Sequence, residues 1–268
     1  MKMLNIGCGV TSDSEWINID LGGSDDVMSH NVTDGLPFPD KTFDVVYHSH
    51  LLEHIPFEKS LPFIHECFRV LKPGGIIRIL VPDLERIAGL YLEKLAAAKE
   101  SEADYDWIML ELYDQCIREK SGGFMERYLR SSHAVLSPFV AARMGASAAQ
   151  YREQAQGKPA RIKPTWRNFA RVMYRLRLEF AKWIVYALAG KKGRDAFMEG
   201  LFRNSGEVHR WMYDRFSLGR LMANAGFTEI RLVSPLESSI PDFARYKLDV
   251  TDGVVRKPDS LVMEGKRP

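Results

Sequence analysis

Cysteine is scarce in this chain: three residues in 268, Cys8, Cys67 and Cys116, odd in number and far apart. That usage excludes a disulfide framework and a cysteine-based zinc site, and no metal centre is expected. It fits a reducing, cytoplasmic setting. Long apolar runs are also missing. The most apolar stretch, Trp183 to Gly190, falls far short of the roughly 20 residues that cross a bilayer. Excess charge is missing as well. The 37 Lys and Arg against 35 Asp and Glu leave a formal +2, so the chain as a whole does not read as a nucleic-acid binder. Met1 runs straight into a glycine motif, and no signal peptide is expected.

What is present begins with a core. Apolar residues make up 46% of the chain, enough for one large α/β domain or for a core carrying a substantial insertion. The charge, balanced overall, is unevenly spread. Between Tyr151 and Gly206 there are 13 Lys and Arg against 4 Asp and Glu.

The pattern of elements changes along the chain. Residues 3–6 read as a short strand ending in Gly7-Cys8-Gly9, and Trp16 to Ile19 as a second strand closed by Asp20. Val27-Met28 is a third candidate strand, and Phe43 to Tyr47 a fourth. Leu61 to Leu71 has helical periodicity and stops at Lys72-Pro73-Gly74-Gly75. Ile76 to Val81 is a strand of the buried kind. From about Leu84 to Gly206 the pattern is mostly helical. A helix over Leu218 to Asn224, a strand over Phe227 to Val233 and a last strand over Leu261 to Glu264 follow.

A strand, a glycine-rich turn and a second strand ending in an acid form an arrangement that binds adenosine cofactors, because glycine lets the backbone approach the ligand and the acid accepts ribose hydroxyls. Gly7, Gly9 and Asp20 occupy those places. A dinucleotide fingerprint would need a third glycine at Ser12, which is absent, and NAD is disfavoured.

Four motifs carry a resemblance. Leu4 to Gly9, Leu36 to Val46 (LPFPDKTFDVV), Leu52-Glu53-His54 and Arg69 to Gly75 (RVLKPGG) resemble, in order and spacing, class I S-adenosylmethionine (SAM)-dependent methyltransferases of the type 11 group. His209 to Asp214 and Arg256 to Ser260 resemble a bacterial subgroup that accompanies surface-polysaccharide genes. The resemblance implies a Rossmann-like α/β methyltransferase sheet, mostly parallel with its last strand antiparallel. Residues 1–83 and 207–268 would form the core, and residues 84–206 a helical insertion serving as lid, sheet cover or both. It also implies SAM as cofactor. Gly7, Cys8 and Gly9 would lie under its methionine part, Asp20 with Leu21 at the ribose, Asn31 with Val32 at the adenine, and Ser49 near the sulfonium. Asn5 stands where the family has an acid, and Thr11 where it has a third glycine.

The implied activity is methylation of a small acceptor, with a hydroxyl of a surface-glycan sugar favoured. The alternatives are an amine acceptor, and a non-catalytic SAM- or nucleotide-binding module. A hydroxyl needs a base, and His50, or alternatively His48, is the candidate. His209, Tyr213, Arg245, Arg256 and Lys257 are the candidates for acceptor contacts; His54 reads as a cap or packing residue of the next helix. No nucleic acid partner is expected.

Two further expectations concern the insertion. Phe169, Met173, Leu176, Phe180, Trp183 and Ala187 share one helical face, with Arg167, Arg171, Arg175 and Lys182 on another. The segment 167–183 either packs on the core or meets lipid at the inner face of a membrane. Second, only six residues, Val10 to Glu15, separate Gly9 from Trp16, where a parallel crossover normally takes a dozen or more and carries a helix. One sheet face is thereby left bare, to be covered by helices of 84–206 or by a second subunit in a homodimer.

Overall fold

The computed structural model describes residues 1–131, 136–145 and 166–268, with side chains over 1–130, 136–145 and 173–268. His133 and the side chains of Arg167, Phe169 and Arg171 lie outside the described residues. The core is a seven-stranded sheet built from β1 (Met3–Ile6), β2 (Ile17–Asp20), β3 (Met28–Ser29), β4 (Phe43–Ser49), β5 (Leu71–Pro82), β6 (Thr228–Leu232) and β9 (Ser260–Lys266). Its order is β3-β2-β1-β4-β5-β9-β6. The first five strands are parallel, and β9 runs antiparallel between β5 and β6. This is the Rossmann-like methyltransferase sheet that the sequence implies. The interior strands are apolar runs rather than alternating ones, as strands covered on both faces require.

One face is covered by α1 (Phe57–Val70) and α7 (Arg215–Asn224). Phe63, Ile64, Cys67 and Val70 of α1 and Leu218 and Met222 of α7 meet Leu4, Ile6, Val46, Ile77 and Ile79 there. The RVLKPGG motif makes the α1-to-β5 turn tight. A Cβ on Gly75 would sit 2.8 Å from the Lys72 carbonyl oxygen and 3.1 Å from that of Asp44, so only glycine fits without a backbone shift.

The other face corrects an expectation. The β1–β2 crossover carries no helix, as its length dictates, but among the described residues it is not the insertion that packs over the gap. The return from β6 to β9 does. Ile240, Phe243, Tyr246 and Leu248 of that return pack on Met3, Trp16, Val45, Tyr47, Leu80 and Val262. Trp16 meets Tyr47, Phe243 and Tyr246 edge-on at centroid distances of 5.3 to 6.4 Å. A short hairpin, β7 (Val250–Thr251) and β8 (Val254–Val255), completes the return.

A buried ion cluster fastens the cap. Arg78 on β5 is fully buried; its Nε donates to Asp249 Oδ2 at 2.8 Å and its Nη1 to Glu264 Oε1 at 2.7 Å. The same guanidinium donates to the Glu237 carbonyl at 2.9 Å and lies over the Phe243 ring at 4.8 Å. Tyr47 donates its hydroxyl to Asp249 Oδ1 at 2.6 Å.

The insertion forms its own layer. Helices α2 (Leu84–Ala96), α3 (Glu102–Ile117), α4 (Gly123–Ser131) and α5 (Pro138–Met144) pack mainly on one another. α6 (Trp166–Arg203) follows and breaks helical geometry at Gly190. Its apolar face is not packed on the core: Met173, Leu176, Phe180 and Trp183 are 38 to 65% exposed.

Two stability outcomes follow from this packing. Arg78→Met strands two buried carboxylates and should cost about 3–5 kcal/mol in chemical denaturation; a loss under 1 kcal/mol would show the cap held by its aromatics alone. His48, fully buried against Phe63 with neither ring nitrogen hydrogen-bonded, has its pKa lowered by burial to about 4. The unfolded chain takes up this proton below about pH 6.5 and the folded one does not. Stability from this site is therefore complete above pH 6.5 and falls between about pH 6.5 and 4, by about 2 kcal/mol at pH 5. His48→Leu should flatten the acid limb of a Tm-against-pH curve, and an unchanged limb would place the sensitivity elsewhere.

Candidate active site

The glycine turn is shaped by the side chains beneath it. Asn5, buried in β1, donates its amide to the Thr11 carbonyl and to Asn18 Oδ1, both at 3.0 Å. These bonds clamp the β1–β2 turn. Gly7 then turns with φ +67° and its amide donates to the Ile19 carbonyl at 2.8 Å. A Cβ there would stand 2.9 Å from Leu51. The backbone N–H of Gly9 donates to Asp20 Oδ2 and that of Gly22 to Oδ1, at 2.9 and 3.0 Å. Asp20 is thereby fixed with one further lone pair free on each oxygen.

A cleft of about 540 Å³ opens at this point, within the range of small-molecule sites. Gly7, Asp20, Leu21, Asn31 and Val32 line one wall. Asn31 accepts from the Thr33 backbone and hydroxyl through Oδ1, which leaves its amide N–H groups to face a ligand. Cys8 is buried, and burial, followed by the Asp20 charge, raises its thiol to about 11. It is a packing residue at neutral pH. Ser49 is half-buried at the end of β4.

The rest of the lining comes from residues outside the sequence-derived candidates. Leu51, Lys59, Arg203, Ser205, Gly206 and Arg210 face the cleft, so the end of α6 and the segment after it close over the cofactor wall. The only signal in the sequence was the basic excess of this region. The residues present fit S-adenosyl-L-methionine: a fixed carboxylate for the ribose, free amide donors for the adenine and a glycine turn without side chains.

Behind the cleft stands a carboxylate surrounded by imidazoles. Glu53 is fully buried in the turn Leu52–His54. Burial alone would raise its pKa, but nearby His50, followed by His54 and His209, outweighs burial and holds it at about 2. His50 Nδ1 lies 3.2 Å from Glu53 Oε1 and its Nε2 lies 2.7 Å from Ser260 Oγ. His50 itself has φ +52°, a costly conformation for a side-chain-bearing residue and one that recurs at functional sites. His54 caps nothing: Pro56 is the N-cap of α1, and the His54 ring meets His209 edge-on at 4.8 Å. Among the described residues, Glu53, His54 and His209 bring one donor atom each within 4.8 Å of one another.

The remaining candidates divide. Arg256 donates to the Thr11 hydroxyl beside the glycine turn, and Lys257 is exposed next to it. Tyr213 is buried in the core and donates to Ser60 Oγ at 2.8 Å, so it does not reach the cleft. Arg245 pairs with Glu15 on the capped face of the sheet. His48, the alternative base, is sealed against Phe63.

Residues 4–79 match the family model described as methyltransferase domain. Two curated proteins align with short stretches of the chain. The probable S-adenosylmethionine-dependent methyltransferase of Mycolicibacterium smegmatis is 38% identical over 58 residues, 22% of this chain and 21% of that protein. A probable methyltransferase of Aspergillus luteorubrus is 46% identical over 48 residues, 18% of this chain and 17% of that protein. The alignments thus span about a fifth of these relatives' lengths. Among solved structures, a SAM-dependent methyltransferase from Archaeoglobus fulgidus superposes over 99% of this chain and 86% of its own, at 11% identity and a TM-score of 0.39. The matched motifs lie on the strands and turns that build the cleft, so over residues 4–79 the chain is similar to a methyltransferase domain, a likeness that implies S-adenosyl-L-methionine as cofactor.

Proposed function

We propose that the chain is a SAM-dependent methyltransferase that methylates an oxygen of a small acceptor, with a sugar hydroxyl of a surface glycan as the acceptor class. The observation that carries this reading is a cleft lined by Asp20, Asn31 and His54, with Glu53 4.0 Å from His54 and paired in turn with His50. The cofactor supplies a methyl group on a sulfonium; as the acceptor oxygen forms the new C–O bond, the S–C electron pair stays on sulfur and S-adenosylhomocysteine leaves. The protein mainly positions the reactants. Asp20 orients the ribose and the Asn31 amide the adenine. His50 takes the hydroxyl proton at Nε2, directly or through Ser260, while Glu53 stabilises the imidazolium through Nδ1. Lys59, Arg203 and Arg210 make the lining basic, which favours an acceptor carrying an acidic group.

Calorimetry with SAM, followed by release of S-adenosylhomocysteine in the presence of neutral and acidic oligosaccharides and of amines, tests the reading. Binding and turnover with an oligosaccharide are expected. Asp20→Ala should weaken SAM by roughly 10- to 100-fold. His50→Gln should lower kcat by roughly 10²- to 10⁴-fold with SAM affinity unchanged. Turnover with amines alone selects an amine acceptor, and binding without turnover selects a non-catalytic module.

The exposed face of α6 supports a contact with an anionic membrane surface. Met173, Leu176, Phe180 and Trp183 are open to solvent, and 9 Lys and Arg against 3 Asp and Glu lie between Trp166 and Arg203. No helix of the described residues is long and apolar enough to cross a membrane, so the contact would be peripheral. Co-sedimentation should require acidic vesicles and fade with salt. Recovery in the supernatant with both vesicle types, together with a concentration-dependent dimer, would assign this face to a second copy of the chain.

A further inference from the structure

The Glu53 carboxylate is fully buried; Oε1 has His50 Nδ1 at 3.2 Å, and Oε2 has no partner among the described residues. A buried carboxylate costs several kcal/mol unless both oxygens are answered, and a cation at Oε2 would complete what His50 begins at Oε1. The tautomer of His54 narrows the choice. Its Nδ1 lies 3.3 Å from the Val208 carbonyl oxygen. Only an N–H can face a carbonyl, so Nδ1 carries a proton, and in the neutral ring Nε2 then presents a lone pair. That lone pair stands 4.0 Å from Glu53 Oε1. Lone pair facing carboxylate is repulsive unless a cation lies between them.

His209 supplies the third donor. Its ring is buried and packs edge-on against that of His54. Its backbone N–H donates to the Gln115 carbonyl at 2.9 Å, and the Glu53 carbonyl accepts from the Arg210 and Trp211 N–H groups at 2.6 and 3.2 Å. The two chain segments that bring the donors together are therefore tied at the backbone.

We propose that Glu53, His54 and His209 bind one divalent transition-metal ion. The donor atoms lie within 4.8 Å of one another. Metal–ligand bonds of about 2.0–2.2 Å place ligand atoms about 3–3.5 Å apart, so closure on an ion needs about an ångström of side-chain movement. The Val208 carbonyl on His54 Nδ1 is the outer-shell partner that metal-binding histidines usually have. Two imidazoles and a carboxylate suit zinc, cobalt, manganese or iron, whereas magnesium and calcium favour all-oxygen sets. Three protein ligands leave a position open, and His54 also lines the cofactor cleft. An acceptor oxygen would complete the shell there, with its proton made more acidic by the ion; this last step rests on the methyltransferase reading, but the binding of the ion does not.

The test uses the untagged full chain, stripped by chelator and titrated with Co²⁺ while visible absorption and heat are followed. One Co²⁺ per chain is expected. Glu53→Gln and His209→Ala should each lose more than the 10- to 100-fold that removal of an outer-shell partner costs, while His65→Ala, at an exposed position, should bind as the wild type does. Absence of stoichiometric binding by the wild type would overturn the site irrespective of whether any variant folds. So would equal affinity in folded Glu53→Gln, or displacement of Co²⁺ by an equal concentration of Mg²⁺. Calorimetry with SAM on the stripped protein separates the two readings. SAM bound with no ion overturns the metal site alone, and an ion bound with no SAM overturns the proposed function alone.

Discussion

The crossover from β1 to β2 is the constraint on which the rest of the molecule turns. Ten residues, Gly7 to Trp16, join two adjacent parallel strands, too few to carry a helix across the sheet. Since a parallel sheet needs cover on both faces, the missing helix must be replaced. The replacement comes from the opposite end of the chain. Phe243 and Tyr246 fill the place beside Trp16, and Arg78 locks them down through Asp249 and Glu264. The same return must still reach β9, whose first residue, Ser260, lies at the carboxyl end of the sheet. A cover for the hydrophobic face thus ends by delivering Arg256 to the glycine turn and Ser260 to His50.

This arrangement explains which parts of the molecule were legible in the sequence. Strands β1, β4 and β5 read correctly because short apolar runs bounded by turn residues have few other solutions. The sheet order followed from the motif resemblance, and the bare face followed from a residue count. The cover could not be read. Phe243, Tyr246 and Leu248 show neither a helical nor an alternating period, and their partner Trp16 is more than 200 residues away. Asn5 was legible only in part for a related reason. At its position the family resemblance suggests a cofactor contact, whereas its hydrogen bonds to Thr11 and Asn18 had no signal in the sequence.

The histidine cluster was illegible in a different way. Glu53 and His54 are neighbours, but His209 follows some 155 residues later, and no local spacing announces a donor set of this kind. Taken singly, each residue had a bland role available: a capping histidine, a ring contact, a turn acid. Burial distinguishes them. Once Glu53 is seen to be fully buried, with His50 at Oε1 and no partner at Oε2 among the described residues, the bland roles no longer account for its charge.

The insertion reaches this cluster without disturbing the sheet, and the reason is where it leaves and returns. α2 departs directly from the end of β5, and its first amide, at Leu84, donates to the carbonyl of Tyr213. Asp83 pairs with Tyr213 in an isolated parallel bridge. The two ends of about 120 residues are therefore pinned side by side at the carboxyl edge of the sheet, next to the cleft. Whatever the helices between do, their last segment must come back past Glu53, and it brings Arg203, Arg210 and His209 with it. Acceptor choice can then change along the insertion while the glycine turn, Asp20 and the strand order stay fixed. A side chain altered on α3 would reach the chemistry through the Gln115–His209 contact and not through the sheet.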